Sequence, residues 1–158
     1  MIKKNNKKII SINKKAKFNF FIKKRFIAGI SLQGWEVKSI RQRKINISKS
    51  YVIVRSHEVY LLNCEIQPLP HASFFNISRD LTRNRKLLLL KKEIYFILNE
   101  INKNNRYTII PISIFWKNSF CKIEIGLALG KKLYDKRNEK KNKTLKKELS
   151  RISKRFKI

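Results

Sequence analysis

Cys121, Ile123, Ile125 and Leu127 stand at every second position of their segment, with Lys122 and Glu124 between them. This period of two constrains the fold more than any other feature, because it describes a strand with one buried face and one wet one. Phe120–Leu127 therefore pairs with Tyr107–Trp116 across Lys117-Asn118-Ser119 as a hairpin. Pro111 has no N–H to give a ladder, so its strand lies at an edge or bulges there. A second hairpin is expected from Tyr51–Arg55 and Glu58–Leu62, joined by the two-residue turn Ser56-His57. Between Lys17 and Leu32 two more strands are expected: Phe18, Phe20, Phe21 and Ile22 in one, Ile27 to Leu32 in the other. Gly29 allows a close approach or bulge in the second.

Helical spacing appears in three places. Trp35 to Arg43 forms a short helix with Val37 and Ile40 inward and Lys38, Arg41 and Arg43 outward. Leu87, Leu90, Ile94, Ile97, Leu98 and Ile101 predict the best helix of the chain, ending near Asn104-Asn105. Residues 68–83 read as an irregular loop. In the tail, Leu145, Leu149, Ile152 and Phe156 form a narrow stripe on a helix that is marginal alone in water. The fold class is mainly β with flanking α: a small antiparallel barrel, of which the oligonucleotide-binding type is one example, with two or three helices. Three regions are expected: a flexible basic N-terminus (1–12), a β-barrel domain (13–130) and a basic C-terminal tail (131–158).

Charge narrows the function. The 158 residues carry 39 Lys/Arg and 10 Asp/Glu, a net charge of +29 that repels itself unless a polyanion takes it up. An AT-rich genome accounts for many lysines, yet not for the shortage of acids or for the basic ends. Residues 1–17 hold seven Lys and no acid; residues 131–158 hold thirteen Lys/Arg and three acids, 13 − 3 = +10. Nucleic acid is the partner this favours, since neutralising phosphates releases condensed counterions. A membrane is not expected: no apolar run approaches the ~18 residues of a span, and no basic face is matched by a broad Trp-rich one. No signal peptide is visible. Cys64 and Cys121 read as reduced core thiols, in keeping with a cytoplasmic chain.

No catalytic constellation stands out, and no metal or cofactor is expected. His57 and His71 lack neighbouring ligands at metal spacing. There is no phosphate-cradling glycine loop and no nucleophile turn. Isolated acids such as Glu36, Glu65 and Asp80 are, in so basic a chain, more often ion-pair partners than catalysts. Binding chemistry is plentiful instead. Gly34-Trp35-Glu36-Val37-Lys38-Ser39-Ile40-Arg41 mixes an aromatic plane, a carboxylate and two cations, which serve either a core and a wet face or a phosphate contact. Trp116-Lys117-Asn118 puts an aromatic beside a cation at a hairpin tip, where base stacking is open. Thr82-Arg83-Asn84-Arg85-Lys86 places three cations in four positions.

These blocks together resemble one family, the SmpB or SsrA-binding proteins, the tmRNA partners of bacterial trans-translation. The resemblance runs through Asn13-Lys14-Lys15-Ala16, Gly29 to Leu32, Gln33 to Ser39, Lys44-Ile45-Asn46, Ser50-Tyr51-Val52, Thr82 to Leu89 and Gly126 to Arg137, in order. All four glycines (Gly29, Gly34, Gly126, Gly130) fall on family glycine positions. The resemblance implies an oligonucleotide-binding-type barrel that holds the tRNA-like domain of tmRNA. It also implies a tail that folds as a helix in the empty mRNA channel of a stalled ribosome, replacing codon–anticodon pairing. Implied tmRNA-side residues are Asn13, Lys15, Glu36, Lys38, Arg41, Lys44, Arg83, Arg85 and Lys86. Implied decoding-centre residues are Gly130, Lys131, Lys132, Tyr134, Asp135, Lys136 and Arg137. The implied partners are tmRNA, the ribosome with its small-subunit RNA, and elongation factor Tu through tmRNA, for a monomeric chain. A basic ribosomal protein is the alternative; it needs basicity, not Tyr134-Asp135-Lys136-Arg137 in that order. Departures from the family pattern stand at Ile27 (usually glutamate), Arg43 (glycine), Leu81 (proline) and Leu90 (polar).

Overall fold

The computed structural model describes residues 7–70 and 81–155. The expected loop at 68–83 therefore lies largely outside the described residues.

Antiparallel pairing closes a barrel. The strands are β1 (Lys7–Ile12), β2 (Phe20–Ile30), β3 (Ile45–Asn46), β4 (Tyr51–Arg55), β5 (Glu58–Leu62), β6 (Glu65–Ile66), β7 (Arg85–Leu88), β8 (Tyr107–Lys117) and β9 (Phe120–Gly130). Hydrogen bonds run in the order β8-β4-β5-β7-β2-β9, and β9 returns to β8. Closure removes the sheet edges that would invite aggregation. β1 lies outside this ring on β8, and β3 and β6 form a separate two-stranded pair. The helices are α1 (Lys14–Asn19), α2 (Gly34–Arg41), α3 (Lys91–Lys103) and α4 (Leu133–Arg155).

Both expected hairpins form. In the first, Arg55 pairs with Glu58, and Ser56 and His57 take φ of 49° and 58°, the left-handed pair that a two-residue turn requires. In the second, Ile123, Ile125 and Leu127 are fully buried, as their alternation demands. The register shifts between Pro111 and Ser113, so the proline sits at a bulge. The core fills the barrel with Phe26, Leu61, Leu87, Ile97, Ile114 and the inward residues of β9. Cys64 and Cys121 are unpaired thiols. Burial pushes the Cys64 thiol up to about 11 and that of Cys121 up to about 12, so both stay protonated at neutral pH.

Two local expectations give way. Lys17 to Leu32 is not two strands: it is the end of α1 followed by one long strand with a register shift between Ile22 and Lys24. Asn13 causes this, because its side chain accepts from the Ala16 N–H at 3.1 Å and starts a helix. Ala16 then buries itself against Ile110 and Ala128. Leu87 belongs to a strand rather than to a helix, paired with Ile30 on one side and Val59 on the other. The helix begins at Lys91, where Leu90 offers no side-chain cap and the Glu93 carboxylate takes the Leu90 N–H instead, at 3.0 Å. Within the expected basic N-terminus, Lys7–Ile12 forms strand β1, with Lys7 opposite Lys117 and Ile12 opposite Ser113, and residues 1–6 lie outside the described residues.

Two ends of the barrel matter for function. The β8–β9 turn marks one, where Lys117 faces Phe120; Tyr107 facing Leu129 marks the other. Ten residue steps at about 3.3 Å put them about 30 Å apart. α2 lies at the turn end, α1, α3 and the root of α4 at the other.

Candidate nucleic-acid interface

At the α2 end a buried carboxylate gathers two guanidiniums. Glu36 sits in the first turn of α2, fully buried, and accepts the Gln33 N–H at 2.7 Å, which fixes the start of the helix. Arg83 donates to it from Nε at 3.0 Å and from Nη2 at 2.5 Å, and Arg85 donates from Nε at 2.8 Å. Arg85 is itself fully buried and donates to the carbonyls of Cys64 (2.6 Å), Arg83 (3.0 Å) and Leu81 (3.2 Å). A buried charge is tolerated only with partners on every side, and here each is supplied. The cluster ties α2 to the segment entering β7, across 49 residues of sequence.

Glu36 and Arg85 are thus both withdrawn from solvent. Arg83 keeps a fifth of its side chain exposed and extends Nη2 to the Ser31 carbonyl at 3.3 Å. On α2 itself Lys38 and Arg41 are exposed, and Lys44, just beyond the helix, is half-buried. The other implied tmRNA-side residues lie elsewhere. Lys86 is on the barrel wall, close-paired with Glu58, and that hydrogen bond raises the lysine pKa and lowers the glutamate's. Asn13 is buried as the α1 cap and also donates to the Pro111 carbonyl at 3.2 Å. Lys15 is exposed on α1, toward the far end. The set thus divides between the Glu36–Arg83–Arg85 cluster with the cations of α2, and Asn13, Lys15 and Lys86 elsewhere on the barrel.

The far end carries the second set. Gly130 ends β9, and the Lys131 N–H donates to the Asn19 carbonyl at 2.8 Å, anchoring the chain just before it leaves the barrel. The Lys131 ammonium reaches the Lys17 carbonyl at 3.0 Å and lies 4.7 Å from the Phe21 ring centre. Asp135, third residue of α4, accepts the Lys132 N–H at 3.3 Å, the acidic half of a helix-starting pair. Lys132, Tyr134 and Arg137 are exposed and Lys136 half-exposed. Beyond them α4 turns Leu145, Leu149 and Ile152 to solvent, each more than half exposed. These are three of the four residues of the predicted stripe; the fourth, Phe156, lies outside the described residues.

Sequence reasoning missed one association. The guanidinium of Arg41 lies 5.9 Å from the ring centre of Trp116, joining α2 to the β8–β9 turn. Each residue stood out in its own segment; no spacing could bring together positions 75 apart.

Residues 10–155 match the family model described as SmpB protein. The chain belongs to that family. It is 50% identical over 154 residues to proteins named SsrA-binding protein from three strains (Tuc7, 5A and APS) of Buchnera aphidicola subsp. Acyrthosiphon pisum, covering 98% of this chain and 93% of each of those. Among solved structures, it resembles a chain from "tmRNA-SmpB: a journey to the center of the bacterial ribosome", with a TM-score of 0.63 and 35% identity over 85% of this chain and 93% of that one. Family membership and barrel thus agree with the resemblance carried by the motifs.

Proposed function

We propose that this chain is the RNA-binding adaptor of trans-translation. It binds the tRNA-like domain of tmRNA, brings it to stalled ribosomes, and lays α4 in the empty mRNA channel in place of codon–anticodon pairing. The observation that carries this is the match along 10–155, which spans both the α2 cluster and the whole of α4. The geometry suits two RNAs at once, because the α2 end and the α4 root are separated by the length of the barrel.

In this reading Glu36 and Arg85 hold Arg83, Lys38, Arg41 and Lys44 in a fixed cationic array, and Lys15 and Lys86 extend it along the wall. Asn13 sets α1. Gly130, Lys131 and Lys132 set where the tail departs; Tyr134 stacks on a base, Asp135 starts the helix, and Lys136 and Arg137 meet phosphates in the decoding centre. Elongation factor Tu joins through tmRNA. The chain works as a cytoplasmic monomer, as a scaffold rather than a catalyst. Among the described residues no helix is long and apolar enough to cross a membrane.

Replacing Asp135, Lys136 and Arg137 together with Ala tests the division of labour. Tagging of stalled peptides is expected to disappear while tmRNA affinity in a filter-binding assay stays within a few-fold. Loss of both together would overturn it.

A further inference from the structure

A groove of about 540 Å³ opens at the turn end of the barrel, walled by β1, α2 and the β8–β9 turn. Its volume falls within the range of small-molecule sites, about 300–1,000 Å³. Of the residues assigned to RNA above, only Arg41 lines it. Lys8, Arg41 and Arg43 give it three cations, and no carboxylate lines it. Trp116 supplies a flat aromatic wall, and Asn118 and Ser119 supply polar groups at the rim.

We propose that this groove receives one unpaired nucleobase of the bound RNA, stacked on Trp116, with its phosphate held by Arg43 and Lys8. The inference rests on the tmRNA-binding reading and adds a specific contact to it. Trp116 packs against the barrel core and is half-buried, so its indole is already fixed and loses little freedom when a base arrives. The Arg41 guanidinium stands 5.9 Å from the ring centre, too far for a tight stack. A base held between two planes needs roughly 6.8 Å, twice the ~3.4 Å stacking distance. A small outward swing of exposed Arg41 makes that sandwich, with stacking on one side and a cation–π contact on the other.

The backbone also favours the site. Arg43 adopts φ of 60°, a left-handed conformation that costs a residue with a Cβ. It is held there by hydrogen bonds from the Arg43 N–H to the Ile40 carbonyl (2.9 Å) and from the Lys44 N–H to the Ser39 carbonyl (3.0 Å). The turn brings Arg43 to the groove rather than away from it. Asn118, at φ of 55°, presents an amide able both to donate to and accept from a base edge. The recess excludes a paired base, since an aromatic ring below the surface cannot reach inside a helical stack; splayed bases of loops and bulges can enter. An acidic peptide is the other macromolecule suited to a basic groove, but main-chain pairing along β1 would leave the indole without a role.

The test uses the full chain with Trp35→Phe, which leaves Trp116 as the sole indole. Titration with the tRNA-like domain of tmRNA is expected to quench its emission. Inorganic polyphosphate and poly-glutamate, which carry charge without bases, are expected not to. In the otherwise unchanged chain, Trp116→Ala is expected to weaken RNA binding between about 5- and 150-fold at fixed salt. Trp116→Phe should stay within about three-fold. Equal quenching by polyphosphate or poly-glutamate overturns the base pocket. So does RNA that binds tightly without altering Trp116 emission, and that readout does not depend on the Ala variant folding. Failure of the unsubstituted chain to bind the RNA at all would instead overturn the adaptor reading itself.

Discussion

The two ends of this barrel use charge in opposite ways. At the α2 end, Glu36 and Arg85 are withdrawn completely from solvent and engaged with one another. At the α4 end, Leu133 and Tyr134 are 73% and 72% exposed, and a helix with ten cations and three acids stands with its apolar stripe uncovered. The first end is rigid before any ligand arrives, because every group in the cluster is bonded within the protein. The second has the pattern of a helix without its partner surface. A pre-built array suits an RNA of fixed shape; an uncovered cationic helix suits a channel that supplies both anions and contact. The same lysine-rich composition thus serves two binding modes, and burial of one carboxylate separates them.

Breaking the rigid end should cost most. Glu36→Ala leaves the Arg85 guanidinium buried without its counter-charge, and a loss of about 3–5 kcal/mol is expected in urea unfolding. Glu36→Ala that unfolds like the parent would remove the support role. Next comes the α1 cap: Asn13→Ala should lower stability by about 0.5–2 kcal/mol and leave the β8–β9 hairpin intact by amide exchange. At the uncovered end the effect should nearly vanish. Leu149→Ala with Ile152→Ala is expected to shift stability by less than about 0.5 kcal/mol, as for surface sites. A larger loss would mean that α4 packs on its own barrel.

A pH series sharpens the same contrast through the core thiols. In the folded chain Cys64 and Cys121 ionise only near 11 and 12, against about 8.5 for a free thiol. Above pH 9 the unfolded chain binds fewer protons than the folded one, so the thiol contribution makes stability fall as pH rises. Alkylation by iodoacetamide at pH 8.5 should accordingly be slow and should quicken only with unfolding. Rapid labelling of the folded chain would contradict the burial.

Much of this was legible locally. The Tyr51–Arg55 and Glu58–Leu62 hairpin was read to the residue, because alternation and a two-residue turn are both short-range signals. Leu145, Leu149 and Ile152 of the tail stripe were legible for the same reason. The errors came where tertiary partners override a local pattern. Leu87 fits helical spacing with Leu90 and Ile94, yet Arg85, pinned by Glu36, draws the segment into the ring between β5 and β2. The short α1 lacks a strong helical period; a single capping bond and the burial of Ala16 create it. At the candidate interface, residue types were legible and their roles were not. Sequence placed Glu36, Arg83 and Arg85 together on the RNA side, but only the fold separates the buried supports from the exposed cations. It likewise took the fold to bring Arg41 to Trp116.

Amide hydrogen exchange along the whole chain, taken free, then with the tRNA-like domain of tmRNA, then on stalled ribosomes, tests the contrast between the ends most directly. The account predicts strong protection of α2 and β7 in the free chain. It predicts little change in α4 when tmRNA alone is added, and new protection of α4 only with ribosomes. Full protection of α4 in the free chain, unchanged by ribosomes, would contradict it.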